Sequence, residues 1–186
     1  MTEVRLNNLA GATETAVIVP VPAADAVVGA YREVLDRSAG WGVPAHVTVV
    51  YPFVPPDLIT EAVVEDLREV PTTVSSFECT FSRVSWFGKD VAWLAPDPAE
   101  PFRALIELVW RRFPEYPPYG GAHTELIPHL TVGSTRLGDR RALRRAAVDV
   151  QSKLPIRDEI RRVRLIAGNA GARSWRTVVE FALADA

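Results

Sequence analysis

Apolar and polar residues alternate in several stretches of this chain, and a period of two is typical of β-strands that bury one face. Other stretches repeat their apolar residues every three or four positions, as the buried side of an amphipathic helix does. The pattern predicts strands over residues 15–19, 46–53, 74–87, 91–95, 129–135, 160–167 and 174–183, and helices over residues 23–37, 57–70, 101–113 and from 139 onward.

The order of these elements repeats once along the chain. A Pro-x-Pro-Ala sequence closes the first strand at residues 20–23, and it recurs at residues 96–99, where it closes another strand. Each half continues with a helix, a strand and a second helix. An aspartate opens that second helix in both halves, and we expect Asp57 and Asp139 to act as its N-caps.

This repetition predicts two similar lobes related by pseudo-symmetry, roughly residues 12–90 and 91–186. Together they would form one domain over residues 1–186, in which the lobes pack intimately and can exchange strands. Pseudo-symmetry would place equivalent strands of the two lobes on the two sides of one cleft.

A histidine, an apolar residue, a threonine and a second apolar residue follow one another twice, starting at His46 and at His129. Side chains two positions apart share one face of a strand, so each histidine projects to the same side as its threonine, Thr48 or Thr131. The apolar residues between them point to the opposite face: Val47, Val49, Leu130 and Val132. Each copy of this H-x-T motif therefore presents an imidazole beside a hydroxyl group.

Histidine titrates near pH ~6.5, so two facing histidines can act as general base and general acid around neutrality. The threonine hydroxyls can donate hydrogen bonds to the oxygens of a reacting group. A single histidine would be better interpreted as a hydrogen-bonded structural residue, whereas two copies in equivalent contexts favour catalysis. The third histidine, His123, is interpreted as an exposed loop residue. A metal site made from His123 and His129 would lack cysteine ligands and a recognisable spacing.

The chain has 186 residues, of which 48% are hydrophobic and 24% are charged, and this balance suits one sizeable core. The formal net charge is −2, yet residues 136–176 hold twelve Lys or Arg against four Asp or Glu. Four of the arginines share one side of the last predicted helix: Arg140, Arg141, Arg144 and Arg145. Such a stripe indicates either an anionic partner such as RNA or a solvated basic face, and the second is commoner.

The only cysteine, Cys79, lies in an alternating stretch, which predicts strand packing in a reducing setting. The first residues lack the basic start and apolar core of a signal peptide, and no run approaches the roughly 20 apolar residues that span a bilayer. We therefore expect a cytoplasmic protein without a membrane partner. The tryptophans are interpreted as packing residues, with base stacking as the alternative: Trp41, Trp86, Trp93, Trp110 and Trp175.

The two motifs and their neighbours resemble the 2H (two-histidine) phosphoesterase superfamily, and within it the 2′-5′ RNA ligase and cyclic phosphodiesterase family. The resemblance rests on Ala-His-Val-Thr-Val-Val-Tyr-Pro-Phe at residues 45–53, Pro-His-Leu-Thr-Val at 128–132 and Trp-Leu-Ala-Pro at 93–96. It implies an α+β fold with two pseudo-symmetric lobes whose antiparallel sheets flank a central groove. It also implies a metal-independent phosphoesterase without a cofactor, acting on 2′,3′-cyclic phosphate or 2′-5′ phosphodiester linkages.

The same resemblance implies that His46 and His129 are the catalytic residues and that Thr48 and Thr131 bind the substrate phosphate. The substrate would be an RNA end or a small nucleotide with a cyclic phosphate, and we expect the protein to be a monomer. Some family members carry an arginine shortly after the second threonine, whereas the next arginine here is Arg136. This departure leaves open whether the enzyme hydrolyses RNA ends or ligates them. A non-catalytic RNA-binding or nucleotide-binding module is the other alternative.

Overall fold

Eight β-strands join edge to edge in one antiparallel sheet within the part of the chain that the structure describes. The computed structural model describes residues 4–122 and 125–185, so His123 lies outside the described residues. The strands are β1 Glu14–Pro20, β2 His46–Val50, β3 Phe77–Phe87, β4 Val91–Asp97, β5 Leu130–Ser134, β6 Ile156–Ile160, β7 Arg162–Gly168 and β8 Arg176–Ala182. Their order across the sheet is β6-β3-β4-β5-β2-β1-β7-β8.

The longer helices cover one face of this sheet, which we call the helix face. The helices are α1 Pro22–Leu35, α2 Arg37–Gly40, α3 Glu61–Glu69, α4 Glu100–Arg112 and α5 Arg140–Ser152. Apolar residues of α1, α3, α4 and α5 form one buried core with every second residue of the central strands, such as Val17, Val47 and Leu130. The predicted α+β class with antiparallel strands is confirmed.

The two strands that carry the H-x-T motifs are neighbours at the centre of the sheet. β2 pairs with β5, and each has its own flanking strands, β1 beside β2 and β4 beside β5. The antiparallel sheets expected for two lobes are therefore continuous through this central pair. Each half of the sheet also combines strands from distant parts of the chain, because β7 and β8 adjoin β1 while β3 and β6 adjoin β4.

The sheet curls into a half-barrel, and the chain path shows why it must. β6 is the edge strand on one side and β7 is the second strand from the other edge, yet only Arg161 separates them in sequence. The two edges also meet through backbone hydrogen bonds: the Ala184 amide donates to the Val74 carbonyl at 2.9 Å, and the Ser76 amide donates to the Ala184 carbonyl at 2.8 Å. A flat sheet of eight strands could not bring these residues together.

One of the two predicted helix caps is wrong. Asp57 lies in a short 3-10 turn, Pro56–Leu58, and the extended residue Ile59 separates that turn from α3. Thr60 caps α3 instead, accepting a hydrogen bond from the Val63 amide at 3.3 Å. Ile59 is only 7% exposed, so its burial in the core explains why the helix starts later. Asp139 does cap α5, since its Oδ1 accepts from the Ala142 amide at 2.7 Å.

The sequence pattern also missed one strand. β6 buries only Ile156 and Ile160, and the charged residues between them hide its alternation. The predicted strand over 160–167 corresponds to β7 alone. The predicted strand over 74–87 begins later, at Phe77, because residues 74–76 bond to Ala184, beyond β8, instead of to the neighbours of β3.

Cys79 is buried in β3, as predicted, and burial raises the pKa of its thiol to about 12. The thiol therefore stays protonated and unreactive at neutral pH. Among the described residues, the helices are too short or too polar for any of them to traverse a bilayer.

Candidate active site

The two H-x-T motifs lie side by side in the sheet. β2 and β5 run antiparallel, with Val47 opposite Leu130. Moving one residue outward in each direction places the histidine of each motif across from the threonine of the other motif. The resulting cross-strand pairs are His46 with Thr131 and Thr48 with His129. Directly opposite residues in such a ladder have Cβ atoms about 5 Å apart, and diagonal residues lie about 7–8 Å apart.

All four side chains project from the face opposite to the helices, which we call the open face. Their apolar neighbours are buried in the main core on the helix face: Val47, Val49, Leu130 and Val132. His46, Thr48, His129 and Thr131 themselves are half-buried. The structure thus brings together all four residues that the sequence marked, with the two imidazoles on one diagonal and the two hydroxyls on the other.

The imidazoles are held in the same way in both motifs. Nδ1 of His46 lies 2.7 Å from the Pro44 carbonyl oxygen, and Nδ1 of His129 lies 2.7 Å from the Ile127 carbonyl oxygen. A carbonyl oxygen can only accept a hydrogen bond, so Nδ1 carries the hydrogen in both rings. Nε2 is therefore the nitrogen with the lone pair whenever either ring is neutral.

His46 is held neutral at physiological pH. Burial lowers its pKa from 6.5 to about 4, and the positive charge of Arg32 acts in the same direction. The Pro44 carbonyl and the Asp36 carboxylate oppose this shift without cancelling it. Arg32 is 2% exposed, and its Nε donates to Asp36 at 3.0 Å while an Nη donates to Ser38 at 3.0 Å.

His129 has an aromatic environment instead. The ring of Phe87 meets it edge-on at 4.9 Å between centroids, and Trp93 does so at 5.9 Å. Tyr119 stacks nearly parallel to it at 6.4 Å with an interplanar angle of 19°. Within the described residues, the buried Nε1 of Trp93 has no hydrogen-bond partner. The two motifs therefore share the H-x-T pattern but differ in their surroundings.

Tyr119 is a site residue that the sequence did not reveal. Its hydroxyl is hydrogen-bonded to the Thr48 side chain while its ring lies on His129, so it touches both motifs. Burial raises the pKa of this phenol, which therefore stays protonated. The backbone at Tyr119 has a φ of +54°, and its amide donates to the Tyr51 carbonyl at 2.8 Å. The Pro-Pro-Tyr-Gly-Gly sequence indicates a turn, but no local signal shows that the turn returns to β2.

The basic stripe lies on the other side of the sheet. The apolar residues of α5, such as Leu143 and Val150, are buried in the core on the helix face. The arginines of α5 are consequently exposed away from the H-x-T motifs, and Arg140 pairs with Asp90 at 3.3 Å. No cluster of three His, Cys, Asp or Glu side chains that could hold a metal occurs in residues 4–122 and 125–185.

The tryptophans divide between packing and exposed positions. Trp175 is 6% exposed and stacks on Trp41 with ring centroids 6.1 Å apart. Trp86 and Trp110 are exposed. Of the five tryptophans, only Trp93 contacts a residue of the H-x-T motifs through its ring, among the ring contacts of the described residues.

Solved structures of several bacterial proteins share this fold. Escherichia coli LigT complexed with phosphate is 14% identical, with a TM-score of 0.57 over 94% of this chain and 99% of LigT. The protein TT0787 of Thermus thermophilus is 17% identical, with a TM-score of 0.56 over 92% of this chain and 98% of that protein. These identities establish a common fold only. No curated protein sequence matches the chain significantly.

The sequence also matches the family description of the 2′-5′ RNA ligase superfamily over residues 19–172. This match covers most of the chain and includes both H-x-T motifs, and it agrees with the fold seen in LigT. The chain therefore belongs to the 2′-5′ RNA ligase superfamily, one of the families of 2H phosphoesterases.

Proposed function

We propose that this protein is a metal-independent phosphoesterase that acts on 2′,3′-cyclic phosphate or 2′-5′ phosphodiester linkages of RNA or small nucleotides. The observation that carries the proposal is the quartet of His46, Thr48, His129 and Thr131 on one face of β2 and β5. His46 and His129 are diagonal neighbours, and the backbones of such residues lie about 7–8 Å apart. Their imidazoles can therefore approach one phosphate from opposite sides, as an in-line displacement requires.

The environment of His46 supports the role of general base in the hydrolytic direction, and this assignment leaves the acid role to His129. His46 is neutral at pH 7, so its Nε2 accepts a proton from the attacking water as the water oxygen bonds to phosphorus. The bond from phosphorus to the 2′ or 3′ oxygen breaks, and the departing oxygen takes a proton from Nε2 of protonated His129. One water molecule is added across one P–O bond. His46 then loses its new proton to solvent, and His129 takes one up, so both rings return to their starting state.

The hydroxyls act on the charge that develops at phosphorus. Thr48 and Thr131 donate to the non-bridging oxygens, whose negative charge grows in the transition state. The Tyr119 phenol is hydrogen-bonded to the Thr48 side chain. With the phenol as the donor in this bond, because it is more acidic than an alcohol, the threonine hydrogen is available for the substrate. Tyr119 is in this scheme a positioning residue rather than a catalytic one.

Two further observations support a phosphate ligand. The related E. coli LigT has been crystallised with phosphate and with 3′-AMP, which are the kinds of ligand that this quartet suits. The donors in the quartet are imidazole and hydroxyl groups, which bind phosphate without a bridging metal ion. Catalysis by these residues should therefore continue when divalent ions are removed.

The decisive experiment incubates the purified protein with 2′,3′-cyclic nucleotides, cyclic-phosphate-ended RNA and a 2′-5′-linked dinucleotide in the presence of EDTA. We expect turnover of at least one class, and a loss of roughly 10²- to 10⁴-fold in kcat for His46→Ala and for His129→Ala, with KM changed much less. Thr48→Ala and Thr131→Ala should also act mainly on kcat. Thr135→Ala is the matched control, because Thr135 hydrogen-bonds to Asp90 outside the quartet.

Other outcomes would assign a different function. Binding without turnover would favour a nucleotide-binding module, and full turnover by both histidine variants would remove them from the mechanism. Formation of a 2′-5′ linkage from a cyclic-phosphate end and a 5′-hydroxyl end would reveal the reverse, ligating reaction. Activity that disappears with EDTA and returns with one specific metal would place the protein in another mechanistic class.

A further inference from the structure

The open face continues from the quartet across β1 to a charged cluster on β7 and β8. Thr48 pairs with Ile18 of β1, Ile18 pairs with Arg164 of β7, and Arg164 pairs with Glu180 of β8. Residues paired directly across an antiparallel sheet project from the same face. Thr48, Ile18, Arg164 and Glu180 therefore form one row on the open face.

Burial on β7 confirms this direction. Val163 and Leu165 belong to the main core on the helix face, whereas Ile166 belongs to a smaller cluster on the open face. Neighbouring strands lie about 4.8 Å apart, so the backbones of Thr48 and Arg164 are separated by roughly 10 Å. A ligand held by the quartet would reach the Arg164 side chain by extending one unit along the row.

The cluster carries a net positive charge. Glu180 accepts hydrogen bonds from Nε of Arg164 at 2.5 Å and from Nη1 of Arg162 at 2.7 Å. Two guanidinium groups face one carboxylate here, and each arginine has five N–H donors of which only one bonds Glu180. The side chains of Arg162 and Arg164 are 61% and 29% exposed, so their remaining donors are accessible to a ligand.

A small apolar core lies on the open face between the quartet and this cluster. Ala16, Ile18, Val43, Ile166 and Trp175 are buried together, with Trp41 and Tyr51 packed at their edge. The rings of Trp41 and Tyr51 are half-buried, so part of each stays accessible at the edge of this core. Accessible aromatic rings together with positive charge are what binding of an extended single strand of nucleic acid uses. Mononucleotides would leave this surface unused.

We propose that Arg162 and Arg164 form a phosphate subsite for the nucleotide next to the one held by the quartet, so that an oligonucleotide is a better substrate than a mononucleotide. This inference rests on the proposed function, because it takes the quartet as the site of the reacting phosphate. Glu180 orients the two arginines while the subsite is empty and competes with the phosphate for their donors.

The test compares a nucleoside 2′,3′-cyclic phosphate with a dinucleotide that ends in a 2′,3′-cyclic phosphate and so carries one extra phosphate. We expect Arg164→Gln to lower kcat/KM for the dinucleotide about tenfold while sparing the mononucleotide, because a charge-assisted hydrogen bond is lost. Glu180→Gln should raise kcat/KM for the dinucleotide about threefold, because a partly exposed charge that competes with the phosphate is removed.

Two controls separate the subsite from a general charge effect. Arg144→Gln removes the same charge from α5 on the helix face and should leave both substrates unaffected. A dinucleotide with an uncharged methylphosphonate linkage should respond to none of the variants. The salt dependence of dinucleotide binding should fall in slope by about 0.7 in Arg164→Gln.

The proposal is overturned if Arg164→Gln lowers kcat/KM equally for both substrates. It is also overturned if Glu180→Gln lowers kcat/KM for the dinucleotide, as Arg164→Gln does. Its outcome does not depend on turnover. Were the wild-type protein to cleave neither substrate, the proposed function would fail, but equilibrium binding of 3′-AMP and of a 3′-phosphorylated dinucleotide to the same variants would still decide whether the subsite exists.

Discussion

Each histidine of the quartet donates its Nδ1 hydrogen to the carbonyl oxygen two residues earlier, and this shared arrangement fixes which nitrogen faces a ligand. The charges and rings around the two imidazoles are not shared. His46 is influenced by the buried Arg32 and by Asp36, whereas His129 lies among Phe87, Trp93 and Tyr119. The two H-x-T motifs therefore present the same ring nitrogen from different surroundings, and in the proposed mechanism the surroundings of His46 favour the base.

The pH dependence of kcat/KM should report the environment of His46. The base must be neutral, and its pKa is lowered to about 4, so activity should persist through pH 5 and fall only as the pH drops through about 4. Arg32→Gln removes a positive charge that lowers this pKa, so the acidic limb should move upward toward 6.5. Asp36→Asn removes an opposing charge and should move it downward. Arg37→Gln, at an exposed neighbouring position, is the control and should leave the profile unchanged. If neither Arg32→Gln nor Asp36→Asn moves the acidic limb, His46 is not the base.

The hydroxyl of Tyr119 should matter through Thr48. Tyr119→Phe keeps the ring on His129 and removes the hydrogen bond to Thr48, so kcat should fall about tenfold with a smaller change in KM. In a double-mutant cycle, Tyr119→Phe should add little to Thr48→Ala, since both remove the same contact. Simple additivity of the two losses would show that Tyr119 acts independently. Tyr116→Phe is the matched control, because Tyr116 lies in the same loop as Tyr119 but packs on Phe53 instead of on a motif residue.

Among the elements, the contact between α1 and β5 positions the second motif. A Cβ atom at Gly133 would lie 2.5 Å from Cβ of Leu35 and 3.2 Å from a methyl group of Leu143. Only a residue without a side chain lets α1 approach the strand this closely. α1 also donates an amide from Ala23 to Asp158 of β6 and uses Asp25 to accept from the Ala45 amide, immediately before His46. One helix thus contacts the strands of both motifs.

Gly133→Ala should destabilise the protein by roughly 1–3 kcal/mol, because α1 must shift to admit the new methyl group. Chemical denaturation measures this loss. Gly29→Ala is the matched control: a Cβ atom at Gly29 in α1 meets nothing within 4 Å, so alanine should stabilise the helix by up to about 1 kcal/mol. Equal effects of the two substitutions would contradict the tight contact between α1 and β5.

On the scale of the whole molecule, the curled sheet sorts the charges of one sequence segment onto two surfaces. Residues 136–176 carry a formal excess of eight positive charges, being twelve Lys or Arg minus four Asp or Glu. The arginines of α5 are exposed on the helix side, whereas Arg162 and Arg164 project from the open face beside Glu180. The basic character of this segment is therefore not one binding surface.

Local pattern by itself determined the sides on which the residues of the two motif strands lie. Alternation with a period of two separated the histidines and threonines of both motifs from their apolar neighbours, and the structure confirms those faces. The cap at Asp139 was equally local, since an aspartate three residues before an available amide needs no distant partner. The chemistry of an imidazole beside a hydroxyl also follows from residue type alone.

Features that depend on contacts between distant residues were decided only by the tertiary structure. The register of Val47 with Leu130 joins positions 83 residues apart, and no local propensity specifies it. Tyr119 reaches Thr48, and Arg164 reaches Glu180, for the same reason. The cap predicted at Asp57 was wrong because burial of Ile59 in the core outweighed a good local signal. Local alternation therefore predicts the sheet face of a side chain, whereas the residues that it contacts on that face depend on the packing of the whole chain.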